Sequence, residues 1–234
     1  MTNAGFRVGM VMFPGITQLD LTGPLEVLSA VAGWSVDLVS ETTDPVPCGR
    51  GFRLVPTVRF SDAPLYDLLV VPGGPGVDDA MLNPVVVEFV RNQAKHAQYV
   101  FGICTGSLLL GAAGCLNGRR ASCHWQAVDL LTHFGATPSR NRMTIDGRMF
   151  TSGGVTAGID MALKVVGELA GKQVAEGIQL LLEYDPEPPF DAGTPETAPV
   201  DVVERLEVAS TQRKANRREA VLSACARMNQ ICPD

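Results

Sequence analysis

Apolar positions along this chain fall into short continuous runs that alternate with stretches of helical spacing. Residues 6–13 are almost all apolar and predict a buried strand, broken by Pro14-Gly15. Residues 19–32 carry apolar side chains at helical spacing, with Pro24 near the start, where proline is tolerated. Residues 35–40 alternate as a second strand. Residues 48–60 hold β-type side chains with Gly51 and Pro56 and predict a short hairpin or edge strands. A continuous apolar strand over 65–71 ends abruptly in Pro72-Gly73-Gly74-Pro75-Gly76. An amphipathic helix over 84–96 precedes an apolar strand over 99–103 and a Leu-, Ala- and Gly-rich helix over 107–113.

The second half is less regular. Residues 120–122 predict a short strand, and 125–134 a helix. Residues 143–151 predict a hairpin about Asp146-Gly147. Two helices follow Gly153-Gly154, over 156–170 and 171–182. Five prolines within 185–199 predict a connecting arm, and a polar helix over 200–228 follows. The basic pairs Arg213-Lys214 and Arg217-Arg218 alternate with helix formers and read as a solvated helix face. Strands alternating with helices imply an α/β fold, a mostly parallel sheet sandwiched by helices. The expected organisation is a single domain over 1–234, with residues 185–234 forming its C-terminal arm and helix. The site of such a sheet lies beyond the carboxyl ends of its strands.

Composition narrows the function. The 234 residues are 46% hydrophobic, enough for a substantial core. A net charge of −6 with dispersed Lys and Arg argues against a general nucleic-acid-binding surface. No apolar window reaches the length of a membrane span, and Met1–Arg7 lacks signal-peptide character. A cytoplasmic protein with reduced cysteines is expected. Cysteines 48, 104, 115, 123, 225 and 232 form no C-x-x-C pair, and the adjacent Cys123-His124 is poor spacing for one metal, so no metal is expected.

The candidate chemistry centres on Gly102-Ile103-Cys104-Thr105-Gly106. A strand leads in, a helix leads out, and glycines flank one cysteine. This is the context of a nucleophile elbow, with Cys where hydrolases carry Ser. A tight turn of this kind sets the sulfur at a helix N-terminus, where the dipole favours a thiolate. Asp20, between Leu19 and Leu21, is either a first-turn helix acid or a proton donor and acceptor for the thiol. Gly73 and Gly74 either end a strand or aim N–H groups at a developing anion. Thr105 offers its N–H at the oxyanion position and its hydroxyl to a substrate. His124 is either a core histidine or the activator of Cys104, and spacing alone does not rank it against Asp20.

At Pro72-Gly73-Gly74, the Cys104 elbow, and Leu116-Asn117-Gly118-Arg119-Arg120-Ala121 through His124-Trp125, the chain resembles the DJ-1/PfpI superfamily. These proteins share the class I glutamine-amidotransferase-like, flavodoxin-like fold. Within it, Gln18-Leu19-Asp20-Leu21-Thr22-Gly23-Pro24, Cys104-Thr105-Gly106-Ser107 and Gly153-Gly154-Val155-Thr156-Ala157-Gly158-Ile159-Asp160 are similar to the isonitrile hydratases. That resemblance implies a lyase that adds water to a small-molecule isonitrile and releases an N-substituted formamide. It implies Cys104 as nucleophile, Asp20 as acid and base, and Thr105 as a positioning group. Gly73 and Gly74 would bind substrate or oxyanion, with His124, Gly153 and Val155 in support. Gly153-Gly154 would let the next helix shift when Cys104 changes charge. No cofactor and a homodimer with its site near the subunit interface are implied as well. Two other activities share the fold: a glyoxalase or deglycase using Cys104 with His124, and a cysteine redox sensor or regulatory ligand domain.

Overall fold

The computed structural model describes residues 5–231; Met1–Ala4 and Cys232 lie outside them. The chain runs β1 (Phe6–Val11), α1 (Gln18–Ser29), β2 (Trp34–Ser40), β3 (Val46–Pro47), β4 (Arg53–Leu54), β5 (Val58–Arg59) and β6 (Leu68–Val71). It continues α2 (Val77–Leu82), α3 (Pro84–His96), β7 (Tyr99–Ile103), α4 (Gly106–Ala112), β8 (Arg120–Ser122), β9 (Thr137–Ser139), β10 (Met143–Asp146) and β11 (Met149–Ser152). Four helices complete it: α5 (Ala157–Leu169), α6 (Lys172–Leu181), α7 (Val200–Ala209) and α8 (Thr211–Ile231).

Seven strands form the central sheet in the order β10-β11-β7-β6-β1-β2-β5. All neighbours are parallel except the β10–β11 hairpin. The continuous apolar runs become central strands because helices cover both faces: every residue of β6 is buried, and so is all of β7 beyond Tyr99. β1 pairs with β2 on one side and β6 on the other. The chain order therefore reverses at β1, which opens a crevice at the carboxyl ends of β1, β6 and β7.

Local packing explains several residue choices. A Cβ on Gly23 of α1 would lie 2.9 Å from Ile159 Cγ1, and one on Gly158 of α5 would lie 3.1 Å from Pro24 Cγ. The two helices thus meet through their smallest positions. Pro24 stands in the interior of α1, a helix of 12 residues over Gln18–Ser29, and not near its start. The segment expected as a helix over 125–134 is a 3₁₀ helix, Val128–Phe134, ended by Gly135 in the left-handed region at φ 73°. The polar C-terminal helix is two helices. Ser210 breaks it: its N–H bonds back to Leu206 and Glu207, and its Oγ accepts Gln126 Nε2 at 2.8 Å. After this break α8 turns onto α2 and α4 and buries Ala220, Val221 and Ala224, whereas α7 buries nothing. The short helix α2 and strand β9 were not expected from the sequence.

Candidate active site

Three loops meet at the crevice. Each follows one central strand: residues 12–17 after β1, 72–76 after β6 and 104–105 after β7. Backbone bonds stitch the first two together, Thr17 N–H to Gly73 O at 2.9 Å and Gly76 N–H to Gly15 O at 3.1 Å. Gly74 has φ 142°, and a Cβ there would sit 2.4 Å from Thr17 N and 2.5 Å from Gly15 O. No other residue fits where the loops approach this closely.

The elbow forms between β7 and α4. Cys104 takes φ 55°, one of two non-glycine residues with positive φ among those described. Such a conformation costs of order 1–3 kcal/mol and persists only where the surroundings enforce it. Here its N–H is held between the carbonyls of Ser152 at 3.2 Å and Gly153 at 3.1 Å. The side chain is 5% exposed. The Thr105 N–H lies near enough to the sulfur to oppose the rise in its pKa.

Asp20 reaches the same point from the first turn of α1. It is fully buried. Oδ2 accepts the Gly73 N–H at 3.0 Å. The Cys104 thiol lies beside the carboxyl, and Oδ1 is buried with no hydrogen-bond partner among the described residues. Burial pushes Asp20 up to about 7, against the opposing effect of the Gly73 hydrogen bond and, less, of the neighbouring Cys104 thiol. Burial pushes the Cys104 thiol well up from its usual range, and the Asp20 carboxylate beside it pushes in the same direction. This reverses the expectation of a dipole-favoured thiolate: α4 has seven residues, and a second buried charge beside a carboxylate costs more than one helix end returns. The pair is therefore a neutral thiol facing a carboxyl that titrates near neutrality.

The glycine pair departs from its expected use. Gly73 N–H is spent on Asp20, and Gly74 N–H donates to Thr105 Oγ1 at 2.9 Å. The Thr105 hydroxyl in turn donates to Gly74 O at 3.3 Å. Neither glycine N–H is free for an oxyanion. They hold the acid and the elbow against each other, and a Cβ on Gly73 would lie 2.5 Å from Thr105 N. Gly153 leaves room, since a Cβ there would meet only Arg142 O at 3.8 Å and Cys123 O at 3.9 Å.

A cavity of about 500 Å³ opens above Cys104 and Thr105. Its walls include Gly74, His124, Gln126 and Val155, and arginines 50, 213 and 217. His124 is thus brought to the site, but not as an imidazolium. Burial and the nearby Arg217 and Arg213 push it down to about 4, and Nδ1 accepts the Gln126 N–H at 3.3 Å. His124→Ala is expected to lower turnover by less than about tenfold, below the usual contribution of a proton-transferring group; steady-state assays of the variant measure it. Arg217 was read as part of a solvated face and is instead 7% exposed. It donates to Asp78 Oδ1 at 2.7 Å and Gly74 O at 3.4 Å. Its spacing carried the signal: residues 217, 220, 221 and 224 share one helical face, and the last three are apolar.

Comparison with known proteins agrees with this architecture. The sequence pattern described as the DJ-1/PfpI family matches residues 6–168. An isonitrile hydratase of Pseudomonas putida is 45% identical over 223 residues, 95% of this chain and 98% of that protein. A glutathione-independent glyoxalase of Caenorhabditis elegans is 32% identical over 60% of this chain and 76% of that protein. The crystal structure of a THiJ/PfpI family protein from Pseudomonas syringae superposes with a TM-score of 0.91 at 36% identity, covering 93% of this chain and 90% of that one. The hydratase and syringae alignments run past residue 168 into the C-terminal helices. With its reversed sheet, its cysteine elbow and a buried acid at the switch point, the chain belongs to the DJ-1/PfpI family.

Proposed function

We propose that this protein is an isonitrile hydratase, converting R–N≡C and water to R–NH–CHO. The observation that carries the reading is the buried Asp20 carboxyl, with Oδ1 unpartnered, set against the Cys104 thiol. Near-full-length similarity to the Pseudomonas putida hydratase supports the substrate class. The isonitrile carbon carries a lone pair and is also electrophilic. Asp20 takes the thiol proton as the sulfur bonds to that carbon, and then delivers the proton to the same carbon. The product is a thioimidate, Cys104 S–CH=N–R. Water next adds across C=N, its hydroxyl to carbon and one proton to nitrogen, with Asp20 relaying the proton. Collapse of this adduct breaks the C–S bond, releases R–NH–CHO and returns the second proton to sulfur. Splitting the hydration in two is the logic of covalent catalysis. Protein groups and water supply every proton and bond.

In this scheme Thr105 N–H steadies the sulfur, and its hydroxyl locks the glycine loop to the elbow. Gly73 orients Asp20, while His124, Gly153 and Val155 shape the surroundings of the thiol. Formamide formation from para-nitrophenyl isocyanide by the wild-type chain tests the reading, with methylglyoxal consumption as its rival outcome. The neutral His124 weighs against that rival, which needs a Cys–His pair.

The protein is further proposed to act as a cytoplasmic homodimer. No helix among the described residues is long and apolar enough to cross a membrane, and the five described cysteines are free. Leu180 and Leu181 of α6, Phe190 of the arm and Val200 and Val208 of α7 are each more than 70% exposed, an apolar surface that a second copy would cover. Sedimentation at micromolar concentration is expected to give twice the chain mass; a single-chain mass contradicts the dimer.

A further inference from the structure

The cavity above Cys104 has a charge that the chemistry at its floor does not require. Hydration of an isonitrile uses the thiol, the Asp20 carboxyl and water, and an isonitrile group itself is neutral. Yet three arginines line the walls, and they come from opposite ends of the chain: Arg50 from the turn between β3 and β4, and Arg213 and Arg217 from α8. Among the described residues no acidic side chain lines that cavity.

The three are not equivalent. Arg217 is buried and anchored through Nε to Asp78 and through Nη2 to Gly74 O, while its Nη1 takes no part in any hydrogen bond among the described residues. Its charge is partly compensated by Asp78. Arg213, one turn earlier on the same face, makes no ion pair among the described residues; Nη2 donates to Gln126 Oε1 at 3.0 Å. Arg50 makes neither an ion pair nor a hydrogen bond through its side chain there. Asp78 offsets Arg217 from outside the lining, and the lining itself holds three cations and no acid, so the cavity wall is positive. Asp20 is fully buried and does not line the cavity.

We infer that the preferred substrate is an anionic isonitrile, one whose organic group carries a carboxylate received by Arg213, Arg50 and the free edge of Arg217 while its isonitrile carbon faces Cys104. A guanidinium matches a carboxylate with two parallel donors, and a hydrogen bond to a charged group is stronger than one between neutral groups. The arrangement also fixes polarity: repulsion from Asp20 keeps the carboxylate out of the floor and leaves the isonitrile end to enter it. This inference rests on the hydratase reading and assigns its substrate class.

The test compares two carboxylates, isocyanoacetate and 4-isocyanobenzoate, each with its own methyl ester, so that charge is the main variable. At low ionic strength the wild-type chain is expected to favour at least one acid over its ester by about tenfold or more in kcat/KM, and added salt is expected to shrink that ratio. In Arg213→Gln the acid-to-ester ratio falls by at least about fivefold, and Arg213→Lys, which keeps the charge, recovers part of it. Equal rates for acid and ester in both pairs overturn the inference while leaving the hydratase reading intact, as does an unchanged ratio in Arg50→Gln/Arg213→Gln. A calorimetric arm separates the two claims if no isonitrile is turned over. Tighter binding of 4-isocyanobenzoate than of its ester to Cys104→Ala, lost in Cys104→Ala/Arg213→Gln, keeps the anion site though the hydratase reading fails. Equal binding removes both.

Discussion

Replacing Cys104 by alanine is expected to lower formamide formation from para-nitrophenyl isocyanide by about 10⁴-fold or more. The loss is this large because no second group in the cavity can take over the attack. The Thr105 hydroxyl, on the next residue, is bound to Gly74 in both directions. Cys123 is buried, and burial holds its thiol at about 12. Cys104→Ser is expected to be nearly as inactive, since a serine hydroxyl facing a carboxyl that titrates near 7 is far too weak an acid to be deprotonated by it. Neither change should unfold the chain. The left-handed backbone at Cys104 is enforced by Ser152, Gly153 and the close fit of Gly106 beneath Val71 and Pro72, not by the sulfur. Urea denaturation of both variants within about 1 kcal/mol of wild type would establish that the missing activity is chemical.

The second large effect falls on Asp20. Asp20→Asn keeps an oxygen to accept the Gly73 N–H but removes the proton carrier, and a loss of about 10²–10⁴-fold is expected. The wild-type pH profile should carry its signature. Attack requires one proton shared between thiol and carboxyl, so kcat/KM rises with pH up to about 7, where Asp20 ionises, and then levels off. It falls again only where the high-lying thiol proton is lost. In Asp20→Asn the inflection near 7 should vanish. Stability should move the other way. A carboxyl held at about 7 in the folded chain and near 3.8 when unfolded is stabilising while neutral, and that contribution drains away as pH rises from 3.8 through 7. At pH 8 the folded chain bears this cost in full, of order 4 kcal/mol. Asp20→Asn should therefore melt at least as high as wild type at pH 8, the trade of stability for activity expected at a strained site.

The fold was largely legible because its core strands are buried on both faces. Continuous runs such as 99–103 leave no choice of face, so burial shows directly as sequence. Three features were hidden, each set by distant partners. α2 has six residues and follows a glycine-rich turn, too short for a helical period to emerge. The break between α7 and α8 depends on Ser210 meeting Gln126, 84 residues away, while serine itself is unremarkable within a helix. The fates of the Gly73 and Gly74 N–H groups depend on partners 53 and 31 residues away. A Gly-Gly pair announces a close approach and does not say what approaches. The same limit applied to the thiol: the sequence left Asp20 between a first-turn helix acid and a partner of Cys104, and the fold sets its carboxyl beside the sulfur. The candidate residues Cys104, Asp20 and Thr105, which the fold brings together, were visible from their neighbours in sequence. The arginine mouth was missed because Arg213 and Arg217 look like ordinary helix surface until α8 is placed.

Acid-quench mass spectrometry of the wild-type chain during turnover of para-nitrophenyl isocyanide tests the central claim most directly. The predicted result is a transient mass gain equal to one whole isonitrile, located on the peptide containing Cys104, rising before formamide accumulates and decaying as substrate runs out. Formamide production with Cys104 unmodified at every time point, or an adduct that never releases formamide, would contradict covalent hydration at this elbow.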